Sequence, residues 1–149
     1  MSVFFGTVEM IEHSAHNDPT VVAHAAVPNG YFHIISSGSS AVPTAAGELW
    51  VAINTPLGDN RYLADVTIPA GAKLNSYRVK DWDGKELIVT QANVYDTIST
   101  LSVGDTLNAD ATGTLNASGL NETIDFKVVE KINYFGAPAI RVKITVPAA

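Results

Sequence analysis

The histidines and carboxylates near the N-terminus have the spacing that best suits a metal ion. His13 and His16 lie three residues apart, with Glu12 and Asp18 beside them. Imidazole and carboxylate groups are common ligands of divalent metals. The same stretch, however, contains the turn sequence His16-Asn17-Asp18-Pro19, in which Asn and Asp side chains bond to their own backbone. We therefore expect solvent-exposed loop histidines here, no metal site and no cofactor.

The other groups that could carry catalysis are hydroxyls and paired carboxylates. The chain has no cysteine and no Gly-x-Ser-x-Gly nucleophile elbow. The serines of residues 36–40 lie in a Ser/Gly stretch that does not preorganise a nucleophile. Asp81 and Asp83 could be the two acids of a glycosidase, but Trp82-Asp83-Gly84 is typical of a turn. We predict that the protein is not an enzyme and has no catalytic residues.

Aromatic side chains are the remaining candidates for a ligand site, because their faces stack on sugar rings. Six of them could form such a platform: Trp50, Tyr62, Tyr77, Trp82, Tyr95 and Tyr134. In a β domain, such residues more often fill the core and pair across strands. A carbohydrate-binding module, including one that attaches a virion to its host, is therefore the alternative function.

An apolar cluster, Val3, Phe4 and Phe5, lies at the start of the sequence. Terminal segments are usually loose unless something ties them down. Either the cluster docks as a strand on its own domain, or it inserts into a neighbouring molecule, where adding a strand to a sheet edge needs little more than such a segment. These three residues are the predicted partner contacts.

The elements that must position these groups are predicted to be strands, since period-two patterns recur between turn sequences. The predicted strands are residues 31–35, 48–54, 61–68, 73–82, 85–90, 101–107, 123–132 and 139–146. Residues 56–60 and Asp83-Gly84 each predict the loop of a hairpin, and Val103-Gly104-Asp105 predicts a bend or bulge. In the last strand, Ile140, Val142 and Ile144 alternate with polar residues, which indicates one buried and one solvated face.

These strands predict an all-β, antiparallel, meander-rich fold, either a β-barrel or a β-sandwich, over residues 48–149. Residues 1–47 are predicted to form an irregular N-terminal arm or additional edge strands, with a Ser/Gly/Ala/Pro loop at 36–47. A chain of 149 residues buries enough surface to fold without a metal or a disulfide.

Charge narrows the range of partners. The net charge is −6, and all nine basic residues lie at Arg61 or later, whereas the first sixty residues carry five acids and no base. Nucleic acid is excluded as a partner, because neutralising phosphates needs clustered Lys and Arg. The acidic first part reflects either ordinary sequence drift in a β protein or a contact with a basic partner surface, because complementary potentials favour encounter. No apolar run approaches the roughly 20 residues of a membrane helix and no signal peptide is recognisable, so we expect a soluble protein with no membrane contact.

Short β motifs follow one another through the C-terminal half of the sequence. They are Gly71-Ala72-Lys73-Leu74, Tyr77-Arg78-Val79-Lys80-Asp81-Trp82, Gly84-Lys85-Glu86-Leu87-Ile88-Val89, Leu101-Ser102-Val103-Gly104-Asp105-Thr106-Leu107, Gly113-Thr114-Leu115, Phe126-Lys127-Val128-Val129-Glu130-Lys131 and Pro138-Ala139-Ile140-Arg141-Val142. In order and spacing they resemble the decoration proteins, also called cement or head auxiliary proteins, of tailed-bacteriophage capsids.

This resemblance implies a non-enzymatic virion structural protein, made in the host cytoplasm and located on the capsid exterior. Such proteins bind the outer surface of the assembled major capsid protein shell, often as homo-oligomers, and stabilise the head against the pressure of the genome. The resemblance does not extend to residues 1–47.

Overall fold

A computed structural model describes the backbone of residues 3–4, 8–10, 17–18, 21–53, 67–134 and 136–147, and the side chains of residues 21–53, 67–133 and 136–147. Within these ranges the chain forms fourteen β-strands, and its helical segments are 3-10 helices of three or four residues. The protein is all-β, as the period-two patterns predict. Among the described segments, none has the length and hydropathy of a membrane-spanning helix.

The strands are short apart from the last two. In chain order they are β1 (Val3–Phe4), β2 (Val8–Met10), β3 (Asn17–Asp18), β4 (Val27–Pro28), β5 (Phe32–Ser36), β6 (Ser39–Ala41), β7 (Trp50–Ala52), β8 (Thr67–Ile68), β9 (Ser76–Arg78), β10 (Glu86–Thr90), β11 (Thr106–Ala109), β12 (Leu115–Asn116), β13 (Asp125–Tyr134) and β14 (Ala137–Thr145). The 3-10 helices span Val79–Trp82, Gln91–Asn93 and Ile98–Thr100.

The described strands assemble into three sheets in which every strand pair is antiparallel. The largest has the order β1-β2-β10-β14-β13-β11-β12, the second β3-β9-β7-β5-β6, and the third pairs β4 with β8. As described, each sheet ends in edge strands and none closes into a barrel, so a sandwich-like arrangement fits where a barrel does not. Single bridges from Val22 and Val94 lie against the edge strands β6 and β12.

The main hydrophobic core is built from both large sheets. Phe32, Val51 and Tyr77 contribute to it from the second sheet, together with buried side chains of β10, β11, β13 and β14 from the first. The rings of Phe32 and Phe126 meet edge to face, with centroids 5.3 Å apart. Successive residues of a strand face opposite sides, and Ala52, which follows Val51, belongs to a second, smaller cluster. The second sheet is therefore buried on both faces.

The predicted C-terminal hairpin is confirmed as β13 and β14, which pair from Asp125↔Thr145 to Tyr134↔Ala137. Ile140, Val142 and Ile144 are fully buried, and Lys143 between them is exposed. The alternation in the sequence therefore identified the core face correctly. A bulge between Val128 and Glu130 interrupts the register of β13.

The predicted hairpin around Asp83-Gly84 is wrong. The chain does turn there, with Gly84 at a φ of 81°, but β9 and β10 belong to different sheets. The predicted strand 73–82 ends early, because a 3-10 helix over Val79–Trp82 places both Val79 and Trp82 in the core. The turn is fastened to β14 instead, since the Gly84 N–H donates to the Ile144 carbonyl at 2.8 Å.

Strands from residues 1–47 add to both large sheets. β2 pairs with β10, and β5 lies between β7 and β6 in the second sheet. The loop predicted over 36–47 contains β6, which returns along β5 through Ser37 and Gly38, both at positive φ, as a tight hairpin turn requires. The predicted loop at 56–60 lies outside the described residues. The two strands predicted to flank this loop, residues 48–54 and 61–68, contain β7 and β8. In the described residues they do not pair with each other, because β8 pairs with β4 and β7 lies between β5 and β9.

Candidate functional site

The predicted contact segment is a strand of its own sheet where it is described. The backbone of Val3 and Phe4 pairs with Met10 and Glu9 of β2 at the edge of the seven-stranded sheet. Phe5 lies outside the described residues. Docking on its own domain was one of the two alternatives for this cluster. Its role as a partner contact remains a prediction.

The candidate metal ligands His13, His16 and Glu12 lie outside the described residues, and Asp18 is described only as backbone in β3. Within the ranges that the structure describes, no group of three or more His, Cys, Asp or Glu side chains is placed to hold a metal ion.

The histidine that the structure distinguishes is His33, which is completely buried on β5. A carbonyl can only accept, so His33 Nδ1–H donates to the Ile34 carbonyl at 2.9 Å. The Ser76 hydroxyl then donates to Nε2 at 3.0 Å, which completes the bonding of a neutral imidazole. The ring of Tyr31 stacks on it, with centroids 5.4 Å apart. His33 therefore links β5 to β9 through a buried side-chain hydrogen bond, which is a structural role.

Burial sets the protonation states of His33 and Tyr31. It lowers the pKa of His33 to about 4, opposed by the hydrogen bond to Ile34 and assisted by the nearby His24. Burial also raises the pKa of Tyr31 to about 12, against a hydrogen bond from Ser40. Both groups are therefore neutral at pH 7. Ser40 Oγ lies 2.7 Å from His24 Nδ1, and Tyr31 Oη lies 3.3 Å from the same nitrogen.

The carboxylates Asp81 and Asp83 have structural partners. Asp81 accepts from Arg78 Nε at 3.1 Å, and Asp83 accepts the backbone N–H of Val146 at 2.9 Å. Asp83 thus holds the end of β14 against the turn. These contacts support the interpretation of both residues as parts of the turn rather than as paired acids.

Among the side chains that the structure describes, the predicted aromatic platform is mostly buried. Trp50, Tyr77 and Trp82 are buried, so their faces are not accessible to a sugar ring. The side chains of Tyr62 and Tyr134 lie outside those described. Tyr95 is the member of the set that is exposed, at 65%.

Three loops far apart in sequence form what we call the loop face, defined as residues 42–47, 94–97 and 116–123. The third loop is hydrogen-bonded to each of the other two. The loop face carries Tyr95, Leu120 and Val42, three of the four large hydrophobic residues that are exposed among the described ones. The fourth, Val103, lies before the first residue of β11. Leu120 lies at the other end of this strand, because its N–H donates to the carbonyl of Ala109, the last residue of β11. The loop face has two acidic residues and no basic ones.

Hydrogen bonds hold these loops to one another. The Tyr95 N–H donates to the Leu115 carbonyl at 2.7 Å, and the Ala117 N–H donates to Asp96 Oδ2 at 2.8 Å. The buried amide of Asn121 donates to the carbonyls of Thr44 at 2.7 Å and Gly47 at 2.9 Å. The exposed apolar side chains are therefore carried by a preorganised surface rather than by independent loops.

Asp110 organises the turn that leads into the third loop. Its carboxylate accepts from the hydroxyl and the N–H of Thr112, from the Thr114 hydroxyl and from the Asn116 amide. Burial raises the pKa of Asp110, but these hydrogen bonds outweigh burial and bring the pKa below its usual value. The turn also places the Gly113 carbonyl where it accepts the Phe32 N–H at 2.9 Å.

A cavity of about 260 Å³ opens at the border of the loop face. Ala46 and Thr123 of the loop face line it, together with Glu48, Leu49, Lys80, Ile124 and Val146. Leu49 and Ile124 are buried, whereas the side chains of Glu48 and Lys80 are 42% and 47% exposed and form an ion pair of 2.9 Å. The cavity thus has an apolar floor and a charged mouth.

No protein family model, curated protein or solved structure matches this chain. The loop face was not predicted from the sequence, because its loops are about 50 and 20 residues apart along the chain. The signal that pointed towards it was compositional: charged residues make up only 16% of the chain, against roughly 25% in average soluble domains. Ser, Thr, Asn, Ala and Gly replace them, a composition common both on neutral β-sheet surfaces and on surfaces that become covered.

Proposed function

We propose that this protein is a non-enzymatic virion structural protein that binds the outer surface of the assembled major capsid protein shell through its loop face and stabilises the head. The observation that carries the binding role is the loop face itself, with Tyr95, Leu120 and Val42 exposed on loops fastened by hydrogen bonds. The identity of the partner rests on the resemblance of the C-terminal half to decoration proteins of tailed-bacteriophage capsids.

Physical chemistry supports a protein surface as the partner. Exposed apolar patches with polar rims are typical of protein–protein contact sites. A preorganised surface binds at a lower entropic cost than loops that must be ordered on contact. The absence of basic residues from the loop face leaves it without the charges that phosphate binding needs.

A capsid lattice would amplify contacts of this modest size. Attachment of one oligomer at several lattice sites raises the effective concentration for each further contact. In this proposal the protein is added to the exterior of expanded heads, as a homo-oligomer where the lattice symmetry requires it. The predicted contacts Val3, Phe4 and Phe5 would supply a second attachment at the sheet edge formed by β1.

Co-sedimentation tests this function. The purified protein should pellet with expanded heads assembled from the major capsid protein encoded in the same genome, and binding should saturate at a fixed ratio of decoration protein to capsid subunits. Absence of binding at micromolar concentration would overturn the proposal.

The N-terminal contacts need point substitutions rather than truncation. Deleting residues 1–12 would remove β2, whose residues Val8 to Met10 pair with Val89 to Leu87 of β10, and the exposed edge of β10 would confuse the result. Replacing Phe4 and Phe5 by serine should weaken head binding while the circular dichroism of the β domain is retained. Unchanged binding would remove this segment from the contact surface.

A further inference from the structure

We infer that the cavity beside the loop face is an anchor site for one tyrosine side chain of the partner protein. This rests on the proposed function, since it assigns the partner group that the cavity would receive. The inference comes from the volume of the cavity, the division between its floor and mouth, and its position at the border of the loop face.

The volume fits one aromatic ring. Drug-sized ligands occupy pockets of roughly 300–1,000 Å³, while benzene binds in an engineered apolar cavity of about 150 Å³. At about 260 Å³, this cavity lies between the two. It has room for a substituted ring and not for a large ligand.

The lining selects a ring with a polar end. Leu49 and Ile124 lie beneath the cavity and are each 1% exposed. Ala46, which is exposed, and Val146, which is partly buried, supply the apolar lining that is open to a ligand. At the mouth, the Glu48 carboxylate can accept the hydrogen bond of a phenol, and its ion pair with Lys80 holds it there. Tyrosine combines an apolar ring with such a donor, which phenylalanine lacks.

The position makes the cavity part of the same contact. The Asn121 amide joins the carbonyls of Thr44 and Gly47, and Thr123, two residues further on, lines the cavity. Binding hot spots are typically aromatic residues buried in pockets and surrounded by nearly neutral contacts that exclude water. The loop face supplies those surrounding contacts, and the cavity supplies the pocket.

The first experiment uses p-cresol, the side-chain analogue of tyrosine, with the full-length protein and methyl-resolved NMR. We expect saturable shifts at the methyl groups of Leu49, Ile124 and Val146. Glu48→Gln should weaken p-cresol binding by about tenfold through loss of a charge-assisted hydrogen bond and should change toluene binding little. Absence of saturable shifts at these methyls, or an equal loss for both probes, would overturn the inference.

The second experiment separates the anchor site from the proposed function. Ala46→Trp places bulk at the exposed mouth of the cavity and should abolish p-cresol binding and weaken head binding at least tenfold. Ala26→Trp, at an exposed position just before β4, is the matched control and should leave both unchanged. If Ala46→Trp removed p-cresol binding but heads still bound normally, the anchor would be refuted while the proposed function stood. If the wild-type protein failed to bind heads, the proposed function would fall.

Discussion

His33 shows how far a residue's surroundings can depart from what its sequence neighbours indicate. Its position within the predicted strand 31–35 was correct, but nothing local indicated that the imidazole would be fully buried. The partners that make burial tolerable are the Ser76 hydroxyl, 43 residues away, and the stacked ring of Tyr31. Pairings over such distances are set by the assembly of the sheet and cannot be read from a local pattern.

This burial predicts a pH dependence of stability. Because folding lowers the pKa of His33 from 6.5 to about 4, the unfolded chain binds the proton more readily between these values. The contribution of neutral His33 to the free energy of unfolding should therefore be fully present above pH 6.5. It should fall by about 3 kcal/mol as the pH drops to 4. Urea denaturation between pH 4 and 8 measures it.

Two variants isolate that effect. His33→Gln should be less stable at pH 7 but should lack this slope between pH 6.5 and 4. His24→Gln, which removes only a smaller cause of the lowered pKa than burial, should keep most of it. The lowered pKa of Asp110 adds a loss only at more acidic pH, as its carboxylate becomes protonated. An unchanged slope in His33→Gln would show that another group titrates.

At the scale of elements, the strongest local signals were reliable. The alternation of residues 139–146 identified β14 and its buried face, and Val103-Gly104-Asp105 forms the expected bend, with Gly104 at a φ of 100°. Asp83-Gly84 had an equally good turn signal, yet the strands on either side of it belong to different sheets. A turn sequence specifies a change of direction, whereas burial of Val79 and Trp82 decides which sheet the chain joins.

Gly113 lies where the turn before β12 packs closely against β5 of the second sheet, and the closeness of this packing can be tested. Its φ is 78°, and a Cβ atom there would lie 2.2 Å from the Tyr31 ring and 3.0 Å from the Phe32 carbonyl. Gly84, at a φ of 81°, has nothing within 4 Å of its Cβ position. Both alanine variants should lose about 1–2 kcal/mol to backbone strain, and Gly113→Ala should lose about 2 kcal/mol more to overpacking. Thermal denaturation measures both, and equal losses would contradict the close packing at Gly113.

The loop face depends on Asn121 as its fastening residue. The side chain is fully buried, donates to the carbonyls of Thr44 and Gly47, and accepts from the N–H and hydroxyl of Thr123. Asn121→Ala should cost about 3 kcal/mol, because it leaves buried groups without partners. Hydrogen exchange should accelerate first in the loops of the loop face. Asn133→Ala, at an exposed position of β13, should change stability by less than about 0.5 kcal/mol.

At the scale of the whole molecule, the loop face shares its lack of basic residues with the first part of the chain. The first sixty residues carry five acids and no base, and the loop face likewise lacks basic residues. The low content of charged residues is typical both of neutral β-sheet surfaces and of surfaces that become covered, and it gives no location. The location of the loop face depends on hydrogen bonds between loops that are distant in sequence, and these exist only in the folded chain.

The measurement that tests the central claim most directly is the temperature at which expanded heads disrupt, recorded with and without added protein. The wild-type protein should raise this temperature, and replacing Tyr95 and Leu120 by serine should remove most of the increase. Val103→Ser, which truncates a side chain 64% exposed at the other end of β11, should keep it. An equal increase with the Tyr95 and Leu120 variant, or none with the wild type, would contradict a stabilising role of the loop face.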